Sequence, residues 1–188
     1  MKLDYNAKLT TSQKRTTKLI VSTLFLLLTR KNFDDITVRE ICRASLIPHS
    51  TFYNYFDDKY DVFRWAVLRE FYERYPEMDT VMNHYDNIDK AADLVCDFME
   101  EYKPVFSKMV KHNPQNGTAM QVAKEGITAF GNVLVKNCTR DKNFDFPYEV
   151  LFNNYITGFL ELFIQTFYEN KTYTREQIHN YMRTLYGI

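Results

Sequence analysis

Chain breakers are scarce in this sequence. Five glycines and five prolines stand among 188 residues, together about 5%, where average proteins carry about 12%. An all-β sandwich or barrel needs turn residues about every 8 to 12 positions, and these few breakers cannot supply them. The expected fold class is therefore all-α, about nine helices with short connections. At this length folding buries roughly 70% of the surface that the unfolded chain exposes, and 45% of the residues are apolar. A core can form without a disulfide framework or a structural metal.

The three cysteines, Cys42, Cys96 and Cys138, are odd in number, and no two are spaced as Cys-x-x-Cys. That excludes a disulfide scaffold, a zinc finger and a thioredoxin-type motif, and it predicts a reducing, cytoplasmic setting. Near the N-terminus Lys14, Arg15 and Lys18 precede an apolar run from Leu19 to Leu28, the order of a secretory leader. Thr29, Arg30, Lys31 and Asn32 follow it with no small-residue cleavage site, and a run this short cannot span a hydrocarbon core about 30 Å thick. The run reads as a buried first helix, and no membrane partner is expected.

Stops and starts divide the rest. Ile20, Leu24, Leu27 and Leu28 form the apolar stripe of a helix over about 12–31, with helical spacing. Thr37-Val38-Arg39-Glu40 fits a capping box, the Thr37 hydroxyl taking a backbone N–H and Glu40 reaching back to the cap. A second helix starts there and ends near Ser45, because Pro48 disfavours helical geometry at Ile47. Pro48 suits the first turn of a third helix, which carries Phe52 and Phe56 on one side and His49, Ser50, Tyr53 and Asn54 on the other. Asp57 and Asp58 offer caps for a fourth. Further helices are predicted over 87–102, 104–111, 118–138, 147–170 and 174–186, with Thr118-x-x-Gln121 and Thr174-x-x-Gln177 as capping boxes.

Two short helices joined by about three residues, the second opening on small polar side chains, describe a helix-turn-helix. Spacing alone fits many helical hairpins. The residues are more specific: Phe33-Asp34-Asp35-Ile36-Thr37-Val38-Arg39-Glu40-Ile41-Cys42-Arg43-Ala44, then Ser50-Thr51-Phe52-Tyr53-Asn54-Tyr55-Phe56-Asp57-Asp58-Lys59-Tyr60-Asp61-Val62. This segment resembles the DNA-binding domain of the TetR family of bacterial transcriptional regulators. The similarity runs in register from Arg15 to Phe63, about a quarter of the chain. Later, Gly158-Phe159-Leu160-Glu161-Leu162-Phe163-Ile164 looks like the penultimate helix of regulators from low-GC Gram-positive bacteria.

The resemblance implies a helix-turn-helix domain over 1–56 and a helical effector-binding and dimerisation domain over 57–188. By position in the family motif, His49, Ser50 and Asn54 are the candidates for reading base edges. Thr37, Thr51, Tyr53, Tyr55 and Lys59 match positions that hold phosphates, and Arg39 and Arg43 add attraction. Asn can pair two-pronged with adenine, a contact worth about 1–3 kcal/mol of discrimination, whereas phosphate contacts set register and affinity without reading sequence. Phe52 and Phe56 would pin the recognition helix to the core. The plainer alternative is that the tyrosines are half-buried aromatics, His49 a solvated histidine and the arginines a solvated helix face. One departure from the family stands at Leu46, where a turn glycine with positive φ is usual; a side chain there costs about 1–2 kcal/mol.

Beyond Trp65 the resemblance implies a homodimer and a small-molecule effector. Phe152, Tyr155, Phe159, Phe163 and Phe167, with Ile178 and Met182, form a stretch apolar around more of its circumference than one core face needs. A second buried surface against a twin subunit accounts for it, and a central helix buried within one chain is the alternative. Trp65, Tyr102, Phe106 and Phe130 are candidate lining for an effector pocket, although aromatics at helical spacing also serve plain packing. No histidine pair has metal-ligand spacing, Glu100 and Glu101 face different directions, and no Gly-rich phosphate loop or nucleophile elbow occurs. Neither an enzyme nor a cofactor or metal is expected.

The predicted function is thus a DNA-binding transcriptional regulator, a ligand-responsive repressor that binds an inverted-repeat operator in double-stranded DNA as a dimer. The alternative is an interaction module whose C-terminal domain docks a partner protein. The zero net charge conceals a split that fits either. Residues 1–64 hold 11 Lys and Arg against 7 Asp and Glu, a net of +4, and residues 65–188 hold 13 against 17, a net of −4. The basic part coincides with the motif.

Overall fold

A local stop precedes the first helix: the Thr10 hydroxyl accepts the Gln13 backbone N–H, and the Gln13 side chain accepts the Thr10 N–H, a closed capping box. In the computed structural model, which describes residues 2–74, 88–138 and 148–186, this opens α1 (Thr11–Leu28). Seven α-helices follow: α2 (Val38–Ser45), α3 (His49–Tyr55), α4 (Lys59–Arg74), α5 (Ile88–Met109), α6 (Thr118–Cys138), α7 (Tyr148–Phe167) and α8 (Arg175–Tyr186). A single 3-10 turn, Phe33–Asp35, links α1 to α2. The fold is all-α, as the scarcity of breakers predicts, with no strand among the described residues.

Two predicted boundaries differ. The helices expected over 87–102 and 104–111 are one, because α5 runs through Pro104. An internal proline removes one backbone hydrogen bond and strains the preceding turn, and the surrounding helix absorbs this. The Thr118 cap is displaced as well. Gly117 takes the cap position, its carbonyl accepting the Gln121 N–H, and the Thr118 hydroxyl is turned to Asp34 instead. The Thr174–Gln177 box at the start of α8 forms reciprocally as expected.

Backbone contacts divide the chain into two compact units, 1–74 with 107–127, and 75–106 with 128–188. The first contains α1 to α4, the last residues of α5 and the first half of α6. Its core is completely buried: Ile20, Leu24 and Leu28 from α1, Phe33 and Ile36 from the connection, Ile41 from α2, Phe52 and Phe56 at α3, and Val62 and Phe63 from α4. Edge-to-face rings tie it together, Phe25 to Phe63 at 5.5 Å, Phe33 to Tyr60 at 5.1 Å and Phe56 to Trp65 at 5.6 Å. Burying one such side chain stabilises the fold by about 1.5–3 kcal/mol. Gly126 of α6 lies so near α4 that a Cβ there would stand 3.0 Å from Val67 Cγ1.

The second unit contains most of α5, the second half of α6, and α7 and α8. Aromatic rings again dominate: Phe106 meets Phe163 at 4.9 Å and Phe167 at 5.3 Å edge to face, while Phe98 meets Phe159 at 5.9 Å. Helices α7 and α8 approach closely at Gly158, where a Cβ would come 2.7 Å from a Leu185 methyl. Outside this core an exposed seam of charges joins α8 to α5. Arg175 pairs with Asp93, Asp97 and Glu100, and Arg183 pairs with Asp89. The two ring nitrogens of His179 face Asp89 and Asp93.

Candidate nucleic-acid interface

The helix-turn-helix forms where the sequence predicts it. Thr37 has extended backbone geometry and its hydroxyl accepts the Glu40 N–H at 3.2 Å, which starts α2. The other half of the box is not made: the Glu40 carboxylate is drawn to the Lys31 ammonium, a stronger partner than a neutral N–H. At the far end Leu46 takes left-handed geometry, φ 57° and ψ 29°, and the Ile47 N–H reaches back to the Cys42 carbonyl at 3.0 Å. The turn is therefore built as a glycine would build it, by a residue that is 88% exposed and carries the strain itself.

Pro48 is the N-cap of α3 and has no side-chain cap bond. Its carbonyl accepts the Phe52 N–H at 2.9 Å, and the Phe56 N–H closes the helix onto Phe52 at 3.0 Å. Phe52 and Phe56 are fully buried and 5.9 Å apart. They seat α3 on the core and so decide its outward side, on which His49, Ser50, Tyr53 and Asn54 are all exposed. Thr51 and Tyr55 flank that face, partly buried. His49 and Tyr53, one turn apart, lie ring to ring at 6.3 Å.

Between α2 and the start of α3 runs an open groove of about 770 Å³, lined by Thr37, Arg39, Glu40, Cys42, Arg43, Ile47, Pro48 and His49. Predicted phosphate-holding and base-reading residues thus share one surface. Arg39 and Arg43, four residues apart on α2, both face solvent at it. Cys42 lies beneath; burial pushes its thiol above the ordinary range, which keeps it protonated and unreactive.

Lys59 is placed differently from the other phosphate candidates. Its ammonium donates to the carbonyls of Phe33 at 2.7 Å, Ile36 at 2.8 Å and Asp34 at 3.0 Å, and lies 4.7 Å from the Phe33 ring. Its donors are committed to backbone, so it clamps the start of α4 to the α1–α2 connection. Burial lowers its pKa, against the opposing pull of Asp34 and Asp35.

Three positioning side chains escape sequence reading. Lys2 donates to the Tyr53 carbonyl at 2.9 Å and pairs with Asp57 at 3.0 Å, satisfying the end of α3 and covering a carboxylate beside it. Arg69 holds the N-terminal segment through the carbonyls of Tyr5 and Ala7. Asn113, in the loop after α5, bonds to the backbone at residues 28–33. None has a local pattern that announces it, since each acts on backbone more than 50 positions away in the chain.

The candidates for pocket and dimer interface distribute as follows. Trp65 belongs to the first unit, buried against Phe56, and its indole N–H is buried without a partner. Tyr102 and Phe106 stack at 5.5 Å within the second unit. Phe159, Phe163 and Phe167 join that same cluster, and Ile178 and Met182 are buried on α8. Phe130, Phe152 and Tyr155 have side chains outside the described residues. No helix among the described residues is long and apolar enough to cross a membrane.

The sequence matches no protein-family model and no curated protein. The structure is similar to a chain from Syntrophomonas wolfei described as a TetR-family transcriptional regulator, at a TM-score of 0.65 and 14% identity over 93% of this chain and 94% of that one. It is also similar to NemR of E. coli in its reduced form, at a TM-score of 0.52 and 15% identity over 92% of this chain and 97% of that one. At such identities the likeness is one of fold. The chain has the all-α fold of TetR-type regulators, in agreement with the family that its helix-turn-helix residues resemble.

Proposed function

We propose that the protein is a DNA-binding transcriptional regulator, working in the cytoplasm as a ligand-responsive repressor. The observation that carries this reading is the exposed face of α3. Four side chains able to meet base edges or phosphates, His49, Ser50, Tyr53 and Asn54, project from a helix whose other side is locked into the core. Beside them Thr37, Arg39 and Arg43 line the adjoining groove. In this reading α3 enters the major groove, where His49, Ser50 and Asn54 read bases. Thr37, Arg39, Arg43, Thr51, Tyr53 and Tyr55 hold the flanking phosphates. Lys59 serves by fixing the connection that presents Thr37.

The protein acts as a homodimer through α7 and α8, so that two α3 helices reach successive major grooves of an inverted repeat about 34–36 Å apart. Trp65, with its unpartnered indole N–H, lies in the first unit. An effector binds among the aromatic side chains of the second unit, where the candidates are Tyr102, Phe106 and Phe130. It acts by favouring a dimer whose reading helices are wrongly spaced for DNA.

Selection from a pool of random duplexes, followed by fluorescence anisotropy on the winners, tests the reading. The expected result is an enriched inverted repeat bound far more tightly than random DNA. Asn54→Ala should cost about 1–3 kcal/mol on that repeat alone, and Arg39→Ala or Arg43→Ala should weaken all duplexes and reduce the salt slope by about 1. No enrichment, with equal affinity for every duplex, overturns it.

A further inference from the structure

The connection between α1 and α2, residues 29–37, leaves backbone groups that neither helix satisfies. The carboxamide of Asn113, 80 residues beyond Phe33, collects two of them, the Phe33 N–H and the Lys31 carbonyl, together with the last carbonyls of α1 and α5. Its Oδ1 accepts the Phe33 N–H at 2.8 Å. Its Nδ2 donates to the carbonyls of Leu28 at 3.0 Å, Met109 at 3.0 Å and Lys31 at 3.3 Å. The surroundings fix which end of the amide is which, since one neighbour is a donor and three are acceptors. Asn113 is 1% exposed, so no water can replace these bonds. A few residues on, at the first residue of α6, the Thr118 hydroxyl donates to Asp34 in the same connection at 3.0 Å.

Leu28 is the last residue of α1, Phe33 opens the 3-10 turn, and Met109 is the last residue of α5. One side chain therefore ties the ends of two long helices to the strap that carries Thr37 and starts α2. A buried polar group bonded to backbone at several points fixes position more strictly than an apolar contact, because a small displacement leaves a donor or acceptor unpaired in a dry site.

We propose that Asn113 is a positioning residue for DNA recognition: its carboxamide sets the placement of α2, and through the turn that of α3, without touching DNA. This rests on the reading of α2 and α3 as the DNA-binding elements. Asn113→Asp keeps the shape and can still accept the Phe33 N–H, but as a carboxylate it cannot donate to the three carbonyls and its charge lies against them. Such an acid holds its proton to a higher pH than an exposed aspartate, and when protonated it regains one donor.

The experiment is anisotropy of the full-length protein on its selected duplex, at about pH 8 and about pH 6, with a salt titration at each. Asn113→Asp should bind roughly tenfold or more weakly than wild type at the higher pH and recover part of that loss at the lower. Its salt slope should be unchanged, because no phosphate contact is lost. Wild-type affinity at both pH values overturns the proposal. So does a loss that is equal at both or accompanied by a smaller salt slope. If Asn113→Asp does not fold at the higher pH, Thr118→Val carries the test through its bond to Asp34: a loss of roughly threefold with the slope kept supports the proposal, and unchanged affinity overturns it. A wild-type protein that binds no duplex overturns the regulator reading instead. Amide exchange over residues 28–37 then decides for Asn113, faster exchange in Asn113→Asp at the higher pH supporting its hold on the connection and equal exchange ending it.

Discussion

The two units hold themselves together by different means. In the unit that carries α1 to α4, side chains with buried or half-buried polar ends reach backbone: Lys59 meets three carbonyls, Asn113 meets four backbone groups, and Arg69 meets two carbonyls. In the unit built from α5, α7 and α8, the polar groups pair with one another at the surface, Arg175 and Arg183 with Asp89, Asp93, Asp97 and Glu100. Aromatic packing supplies its interior. Exposed ion pairs are forgiving of geometry, whereas bonds to buried backbone are not. The contrast teaches that the first unit is specified for position and the second for burial, as expected where two short helices must be presented at a fixed angle.

The largest expected effect tests the shared part of that contrast. Phe52→Ala and Phe98→Ala should each destabilise by about 3–5 kcal/mol in denaturant titrations, as deletions of buried rings do. Only Phe52→Ala should also abolish DNA binding by the molecules that remain folded, because it unseats α3. A folded Phe98→Ala protein without DNA binding would break the distinction.

Next comes the difference in polar design. Lys59→Met leaves three carbonyls without their donor and should lower stability by about 1–3 kcal/mol, whereas Arg175→Met should leave the thermal midpoint nearly unchanged, its partners being exposed. Equal effects would mean that backbone clamping adds nothing beyond surface pairing.

Smaller still, and of opposite sign, is Leu46→Gly. It relieves a left-handed φ of 57° at an exposed position, and the gain is reduced by the greater freedom of glycine in the unfolded chain, leaving about 1 kcal/mol or less of stabilisation. A rise in thermal midpoint with DNA affinity intact is the expected outcome. A fall would show that the Leu46 side chain contributes something besides strain.

The smallest effect is electrostatic. Hydrogen bonds from Arg183 and then His179 hold the Asp89 carboxyl below its usual range, so the folded state binds that proton less tightly than the unfolded state. The contribution is therefore present above the ordinary carboxylate pKa and is lost as the pH falls through the depressed one. Arg183→Ala should therefore lower stability slightly at neutral pH and shallow the acid limb, the difference from wild type vanishing as the pH falls through the depressed pKa. An identical acid limb would show that the seam is neutral to folding.

How much of this was legible in the sequence follows from the range of the interactions involved. The capping residues Thr37 and Thr174 and the stripe of Ile20, Leu24 and Leu28 are local patterns, and the structure places each where its spacing predicts. The motif Thr51-Phe52-Tyr53-Asn54-Tyr55-Phe56 likewise predicts the buried and exposed faces of α3. Where two local rules competed with a tertiary partner, the local rule lost: Glu40 left its cap for Lys31, and Thr118 left its cap for Asp34. At Pro104 the local penalty of an internal proline predicts a boundary, while the packing that carries α5 through it is not local.

The sequence by itself determined the all-α class, the position of the helix-turn-helix and the residues offered outward on α3, because helical periodicity, caps and breakers act within a few residues of one another. Only the tertiary structure decided that Lys59 turns inward to backbone, that Lys2 covers Asp57 and that Asn113 grips the connection before α2. A carbonyl left over at the end of a helix is satisfied by whichever donor the fold brings near, and nothing in the neighbouring sequence says which donor that is.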